Sequence, residues 1–173
     1  MAFHLEHAMK LGISESRTKV RVADLEKAFL DFLSSHSTAI LRWAMALVFI
    51  WFGALKLVPG VSPAEAIAGR TLQELSLGVL KPSLSLPLLA LLEVTIGFGF
   101  LFGRRLKLTL WLLMGHMAGT LTPFVLFPHE TMSSFGVPTM LGQYILKNCV
   151  LIAAGLVLFG SLRTKESEAT CGS

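Results

Sequence analysis

The sequence predicts an all-α integral membrane protein: a four-helix transmembrane bundle with an N-terminal amphipathic helix and a short helix in its first outer loop. Three observations carry that prediction. The chain is 53% hydrophobic and only 15% charged, with a mean hydropathy of +0.67, whereas a soluble domain carries about 25% charged residues. The apolar residues gather into four blocks, each near the roughly 20 residues that cross a bilayer as helix. The basic residues flank those blocks unevenly, as they do when they set orientation. At 173 residues the chain is sized for one domain.

Residues 1–36 are polar and are expected on the cytoplasmic side. They lack the apolar core and small-residue cleavage site of a signal peptide. Val22, Leu25, Phe29 and Leu33 recur on one helical face, with Arg21, Asp24, Lys27 and Asp31 on another. That pattern fits a helix lying on the inner membrane surface, or one docking a partner.

The transmembrane domain is expected over residues 37–162, with spans at about 38–57, 84–102, 106–127 and 140–162. The first span holds Arg42 and Lys56 near opposite ends, where both can snorkel to an interface. Trp43 and Trp51 add aromatic bulk. In the following loop, Ser62-Pro63-Ala64-Glu65 has the composition of a capping box with Pro at the first helical position. A short helix to about Leu75 should follow, with Gly78 available to end it. Gly97 and Gly99 in the second span permit close helix approach. Gly103-Arg104-Arg105 makes a tight basic turn, and Ser133-Ser134-Phe135-Gly136 a turn in the third loop. Residues 163–173 are short, polar and expected to be disordered.

Lys/Arg counts orient the bundle. The N-terminal segment holds five, the middle turn three (Arg104, Arg105, Lys107) and the tail two, against Arg70 and Lys81 alone in the other two loops. Ten against two places both termini in the cytoplasm. No run of five or six basic residues occurs, so nucleic-acid binding is not expected. Cys149 and Cys171 have no metal-type spacing, and Cys149 reads as a small packing residue. No metal site is expected. Haem is disfavoured because no second histidine lies in a span interior to pair with His116.

Charge in the bilayer centre costs roughly 2.5–3.5 kcal/mol on insertion scales and so calls for a reason. At 1.5 Å rise per residue, Glu93 and His116 fall near the midpoints of their spans. Lys147 and Asn148 lie slightly to the outer side, and Lys56, Thr120, Gln143 and Tyr144 further out. His116, Thr120 and Pro123 share a face, as do Gln143 with Lys147 and Tyr144 with Asn148. Glu93 is expected to pair with Lys147 or Lys56, either as a fixed structural ion pair or as part of a polar site. The candidate reactive residues are Glu93, His116 and Lys147. Lys56, Trp51, Thr120, Gln143, Tyr144 and Asn148 are the candidate ligand contacts.

Several of these residues stand in recognisable strings. They are Arg42 with Phe49-Ile50-Trp51-Phe52-Gly53-Ala54-Leu55-Lys56, Ser62-Pro63-Ala64-Glu65, Leu92-Glu93-Val94-Thr95-Ile96-Gly97, Met117-Ala118-Gly119-Thr120 and Gly142-Gln143-Tyr144-Ile145-Leu146-Lys147-Asn148. In their order and spacing the chain resembles the DoxX-like family of small four-span membrane proteins, including its YkgB-type branch. The resemblance covers about residues 38–162. It implies a four-helix bundle in the bacterial inner (plasma) membrane. Family members are linked to thiosulfate:quinone oxidoreductase, to oxidative and thiol stress and to reactive-chlorine resistance, and distant eukaryotic relatives act as chaperones or cargo receptors. The chain departs from a self-sufficient redox enzyme in lacking Cys-x-x-Cys and evident cofactor ligands, so catalysis by it alone is not implied.

Three functions follow as expectations. One is a redox-linked subunit that binds a quinone or small lipophilic substrate. A second is a non-catalytic anchor or assembly factor for partner membrane or redox subunits. The third is a transporter or proton path built by a homo-oligomer.

Overall fold

The computed structural model describes the backbone of residues 2–58, 60–62 and 65–171 and the side chains of residues 21–58, 60–62 and 65–162. The chain forms two compact units, Met1–Ala39 and Ile40–Ser173. Helical backbone runs over Ala2–Leu55 (α1), so the first unit is helical. The segment around Val22 is helix, and Val22, Leu25 and Phe29 are exposed. Most side chains of the expected N-terminal segment lie outside the described residues.

Four helical stretches are long and apolar enough to cross a membrane. They end at Leu55 for the first and run Pro82–Phe102, Leu106–Leu126 and Met140–Leu162 for the others. The first helix stops two residues short of the expected boundary, and Lys56 sits in the turn after it, its N–H on the Gly53 carbonyl at 3.2 Å. The second, α3 (Pro82–Phe102), starts two residues early because Pro82 takes the first helical position, where its missing N–H costs nothing. It ends at Gly103, whose φ of 65° is the left-handed conformation that terminates helices. α4 (Leu106–Leu121) gives way at Thr122 to the single turn α5 (Pro123–Leu126), since Pro123 cannot continue the ladder of α4 but can begin a new turn.

The loop helix is α2 (Glu65–Leu75). Its start differs from a closed capping box. Pro63 and Ala64 lie outside the described residues, and the Glu65 carboxylate accepts the N–H of Gly60 at 2.7 Å in place of that of Ser62. Its end is shifted by one residue. The Gly78 N–H donates to the Gln73 carbonyl and the Leu77 N–H to that of Glu74, a Schellman closure. Leu77 therefore occupies the left-handed position at φ 53°, with Gly78 beside it at 80°.

The third loop holds the short turn α6 (Pro128–Thr131) and a hairpin of β1 (Met132–Ser134) and β2 (Val137–Pro138). The expected Ser-Ser-Phe-Gly turn is its tip, with Gly136 at φ 77°. The small strand pair is an element the all-α reading did not contain. Thr139 caps α7 (Met140–Leu146), its hydroxyl accepting the Gly142 N–H at 3.1 Å. α7 and α8 (Asn148–Cys171) meet at Lys147, so the fourth span carries an irregular turn there. Helical backbone continues to Cys171, where disorder after Arg163 was expected. Residues 161–171 contain no Gly or Pro to break it.

Within the second unit the solid core is made by Met45, Ala46 and Phe49 of α1, Ile96 and Phe100 of α3, Leu110, Leu113 and Met117 of α4, and Leu158 of α8. These positions lie at mid-span or toward the Gly103–Arg105 turn, here termed the turn end. The opposite end, with α2 and the hairpin, is the loop end. Glycines set the close crossings. A Cβ on Gly97 would lie 2.6 Å from Ile50 Cγ1 and 2.8 Å from the Ile50 backbone N, and one on Gly155 2.6 Å from Leu113 Cδ2. Outward faces remain apolar: Trp43, Leu47, Trp51, Leu91 and Trp111 are all exposed. A water-facing protein rarely leaves so much contiguous apolar surface, and lipid covers it without cost. The molecule is a multi-pass membrane protein. Cys149 belongs to this outer face and not to the core.

Candidate functional site

Where the core ends toward the loop end, the helices line a partly open cavity of about 650 Å³. This volume falls in the range of small-molecule sites. Its polar wall is assembled from three helices. Glu93 is buried in α3, four residues before Gly97, so the crossing that brings α1 against Gly97 also brings Gly53 against Glu93. A Cβ on Gly53 would be 3.0 Å from Glu93 Cβ. In the turn that follows α1, Lys56 Nζ donates to Glu93 Oε2 at 2.6 Å, and both side chains are 8% exposed. From α4, His116 Nε2 meets Glu93 Oε1 at 3.1 Å. The His116 ring is fixed by an edge contact with Phe49 at 5.9 Å between centroids.

Both oxygens of Glu93 are thus engaged, one by Lys56 after α1 and one by His116 of α4. Away from water a lone carboxylate would be very costly, and Lys56 supplies the compensating charge. A carboxylate only accepts, so the Glu93 contact calls for the hydrogen of His116 on Nε2. A carboxylate, an ammonium and an imidazole in a row form a chain along which a proton can be held or passed.

The rest of the cavity is lined by Phe52 and Val48 of α1, Thr120 and Pro123 beyond His116, and Tyr144, Lys147 and Asn148 at the α7–α8 join. His116, Thr120 and Pro123 do share the cavity face, as their spacing requires. Thr120 turns its hydroxyl hydrogen to the Met117 carbonyl at 2.8 Å, leaving its oxygen as an acceptor. Of the two lysines considered for Glu93, the partner is Lys56. Lys147 is exposed and makes no ion pair among the described residues. Two of the sequence-derived contacts stand elsewhere. Trp51 is 62% exposed on the outer face of α1, because 51 and 52 lie about 100° apart on a helix and Phe52 takes the cavity side. Gln143 turns its amide to the Pro138 carbonyl at 3.4 Å and supports the hairpin.

The sequence reading missed the loop-end wall, which α2 supplies through Ile67, Ala68, Thr71, Leu72 and Leu75. The signal was present, since Ile67, Thr71 and Leu75 repeat at four-residue spacing on one face. It also missed what ties α2 down. Arg70 makes a two-pronged pair with Glu130, Nη1 to Oε1 at 2.8 Å and Nη2 to Oε2 at 2.5 Å. Its guanidinium lies 5.0 Å from the Phe127 ring centre. Hydrogen bonding and charge from Arg70 hold the Glu130 carboxyl below its ordinary range, and the same hydrogen bond raises Arg70. Nothing in the spacing of residues 60 apart could have paired them. Gly115 and Gly119 also border the cavity, and a Cβ on either would meet nothing within 4 Å.

Among the described residues no cluster of three or more His, Cys, Asp or Glu could hold a metal ion. The chain matches no protein-family model, no curated protein and no solved structure.

Proposed function

We propose that this protein is a redox-linked membrane subunit that binds a quinone-type or similarly small lipophilic carbonyl compound in the loop-end cavity. The observation that carries the reading is the Lys56–Glu93–His116 row set into the wall of a mostly apolar cavity of about 650 Å³. A lipophilic ring is favoured by the Phe52, Val48 and Leu151 surfaces. Its carbonyls want hydrogen-bond donors, and Lys147, Asn148 and the Tyr144 hydroxyl are available on the opposite wall. Reduction of a quinone takes up two electrons and two protons. In this reading Glu93 and His116 relay the protons, and a partner redox protein supplies the electrons. The resemblance to DoxX-like proteins supports the same reading, with a bacterial inner membrane as its place and both termini cytoplasmic.

Mass spectrometry of protein purified in mild detergent tests it directly. Quinone should co-purify, and Glu93→Gln should abolish quinone-dependent activity of the membranes that contain it. Quinone-free protein together with unchanged activity in the variant would overturn the proposal.

One observation favours a second reading, a non-catalytic anchor. The Glu93 carboxylate already has a donor on each oxygen, which is also what a purely structural lock between α1, α3 and α4 requires. Joint replacement of Lys56 and Glu93 by apolar residues separates the two. An anchor keeps its partner and its function, whereas a quinone site loses its ligand.

A further inference from the structure

At the turn end, far from the cavity, Arg42 lies against Gly103. A Cβ on Gly103 would be 2.5 Å from its Nη1 and 3.1 Å from its Cζ, so the guanidinium occupies the space that only glycine leaves free. Its Nε is buried and has no hydrogen-bond partner. Arg42 makes no ion pair among the described residues either. A buried donor without an acceptor is costly, so this group calls for a partner that the described residues do not supply.

The surroundings indicate the charge of that partner. Arg104 and Arg105 follow directly and are exposed. Arg105 is the N-cap of α4 and offers it no side-chain cap, so the positive end of that helix adds to the field. Between Ile40 and Leu162 the sequence has four carboxylates, Glu65, Glu74, Glu93 and Glu130. The first two and Glu130 belong to the loop end and Glu93 is held by Lys56 and His116, so this part of the chain supplies no anion here. The turn joins the ends of two candidate spans, Phe102 and Leu106, which sets it at the depth of lipid phosphates.

We propose that Arg42, Arg104 and Arg105 form a binding site for the phosphate head of an anionic phospholipid. Arginine suits the task because its planar fork meets phosphate oxygens in pairs. Gly103 has a second role in this arrangement, admitting the guanidinium to the helix end.

The test uses full-length protein in nanodiscs of phosphatidylcholine mixed with phosphatidylglycerol, with lipids retained on release counted by native mass spectrometry. The wild type should retain phosphatidylglycerol in preference to phosphatidylcholine. Arg42→Gln should cut that preference roughly fivefold, about what one arginine contributes at a membrane surface. Arg104→Gln/Arg105→Gln should cut it further, while Arg42→Lys keeps part of it. If Arg42→Gln fails to fold, the Arg104/Arg105 double variant carries the test alone. Inorganic phosphate added as competitor should leave lipid retention unchanged, and displacement by it would mean a free-phosphate site. Equal preference in wild type and variants would overturn the proposal.

Discussion

Glu93 fixes three helices at one point, and its two oxygens do different things. Oε2 faces the Lys56 amine, whereas Oε1 faces the His116 imidazole. Removing the carboxylate charge strands Lys56 in the bundle, and breaking such a buried pair costs about 3–5 kcal/mol. Glu93→Gln should therefore lower the thermal midpoint strongly, and Lys56→Met/Glu93→Gln should recover much of the loss. A double variant no better than the single would show that the pair does not hold the helices. The importance of Glu93 was legible from its depth in an apolar span. Its partner was not, because Lys56 and Lys147 were both within reach by rise alone, and only the Gly53–Glu93 and Gly97–Ile50 crossings bring Lys56 close. Those crossings have their own test. Gly97→Ala drives a methyl into the Ile50 backbone and should cost about 1–3 kcal/mol, the range for overpacking. Gly115→Ala meets open space and should melt like the wild type. A Gly97→Ala protein of unchanged stability would refute the crossing.

At the scale of elements, α2 is held by one buried face, with Ile67, Gly69 and Thr71, and by one ion pair. It walls the cavity with one face and is pinned from the other by Arg70. The Glu130 carboxyl is held below its ordinary range by Arg70, so its pairing contributes at pH values above the ordinary carboxylate pKa and is lost as pH falls through the lowered value. Salt acts in the same direction, because the pair is exposed and a Debye length is about 10 Å at 0.1 M. Amides of α2 should exchange faster in acid and in high salt, and Glu130→Gln should reproduce the acid behaviour at neutral pH. Exchange indifferent to all three would leave the pair without a role. The end of α2 carries a smaller strain. Leu77 sits in a left-handed conformation that costs a side-chain-bearing residue about 1–2 kcal/mol, so Leu77→Gly should raise the melting midpoint of this 92% exposed position and not lower it. The sequence pointed to Gly78 as the helix stop because glycine is the usual occupant. The backbone closes one residue earlier, since the six-residue Schellman ring places its left-handed residue just before Gly78.

At the scale of the molecule, charge and hydropathy made the four-span architecture legible, while the division of the bundle came from packing. Large apolar residues fill the turn half, whereas the loop half is left open beside Gly115 and Gly119, where an added Cβ would meet nothing within 4 Å. The polar residues already clustered by depth in the sequence, but which helix faces enclose them depends on α2 folding over the loop end. Four candidate spans together with the ten-to-two Lys/Arg bias predict that both termini are cytoplasmic. Fusions read this directly. Green fluorescent protein joined after Ser173 should fluoresce and alkaline phosphatase joined there should be inactive. Phosphatase inserted at the hairpin tip, between Phe135 and Gly136, should be active. The basic turn predicts one step more. Replacing Arg104 and Arg105 removes two of the three cations between the second and third spans, yet the N-terminal five remain, so the orientation should hold while the anionic-lipid preference falls. Inversion of the reporters in that variant would mean that the turn, and not the N-terminal segment, sets the topology.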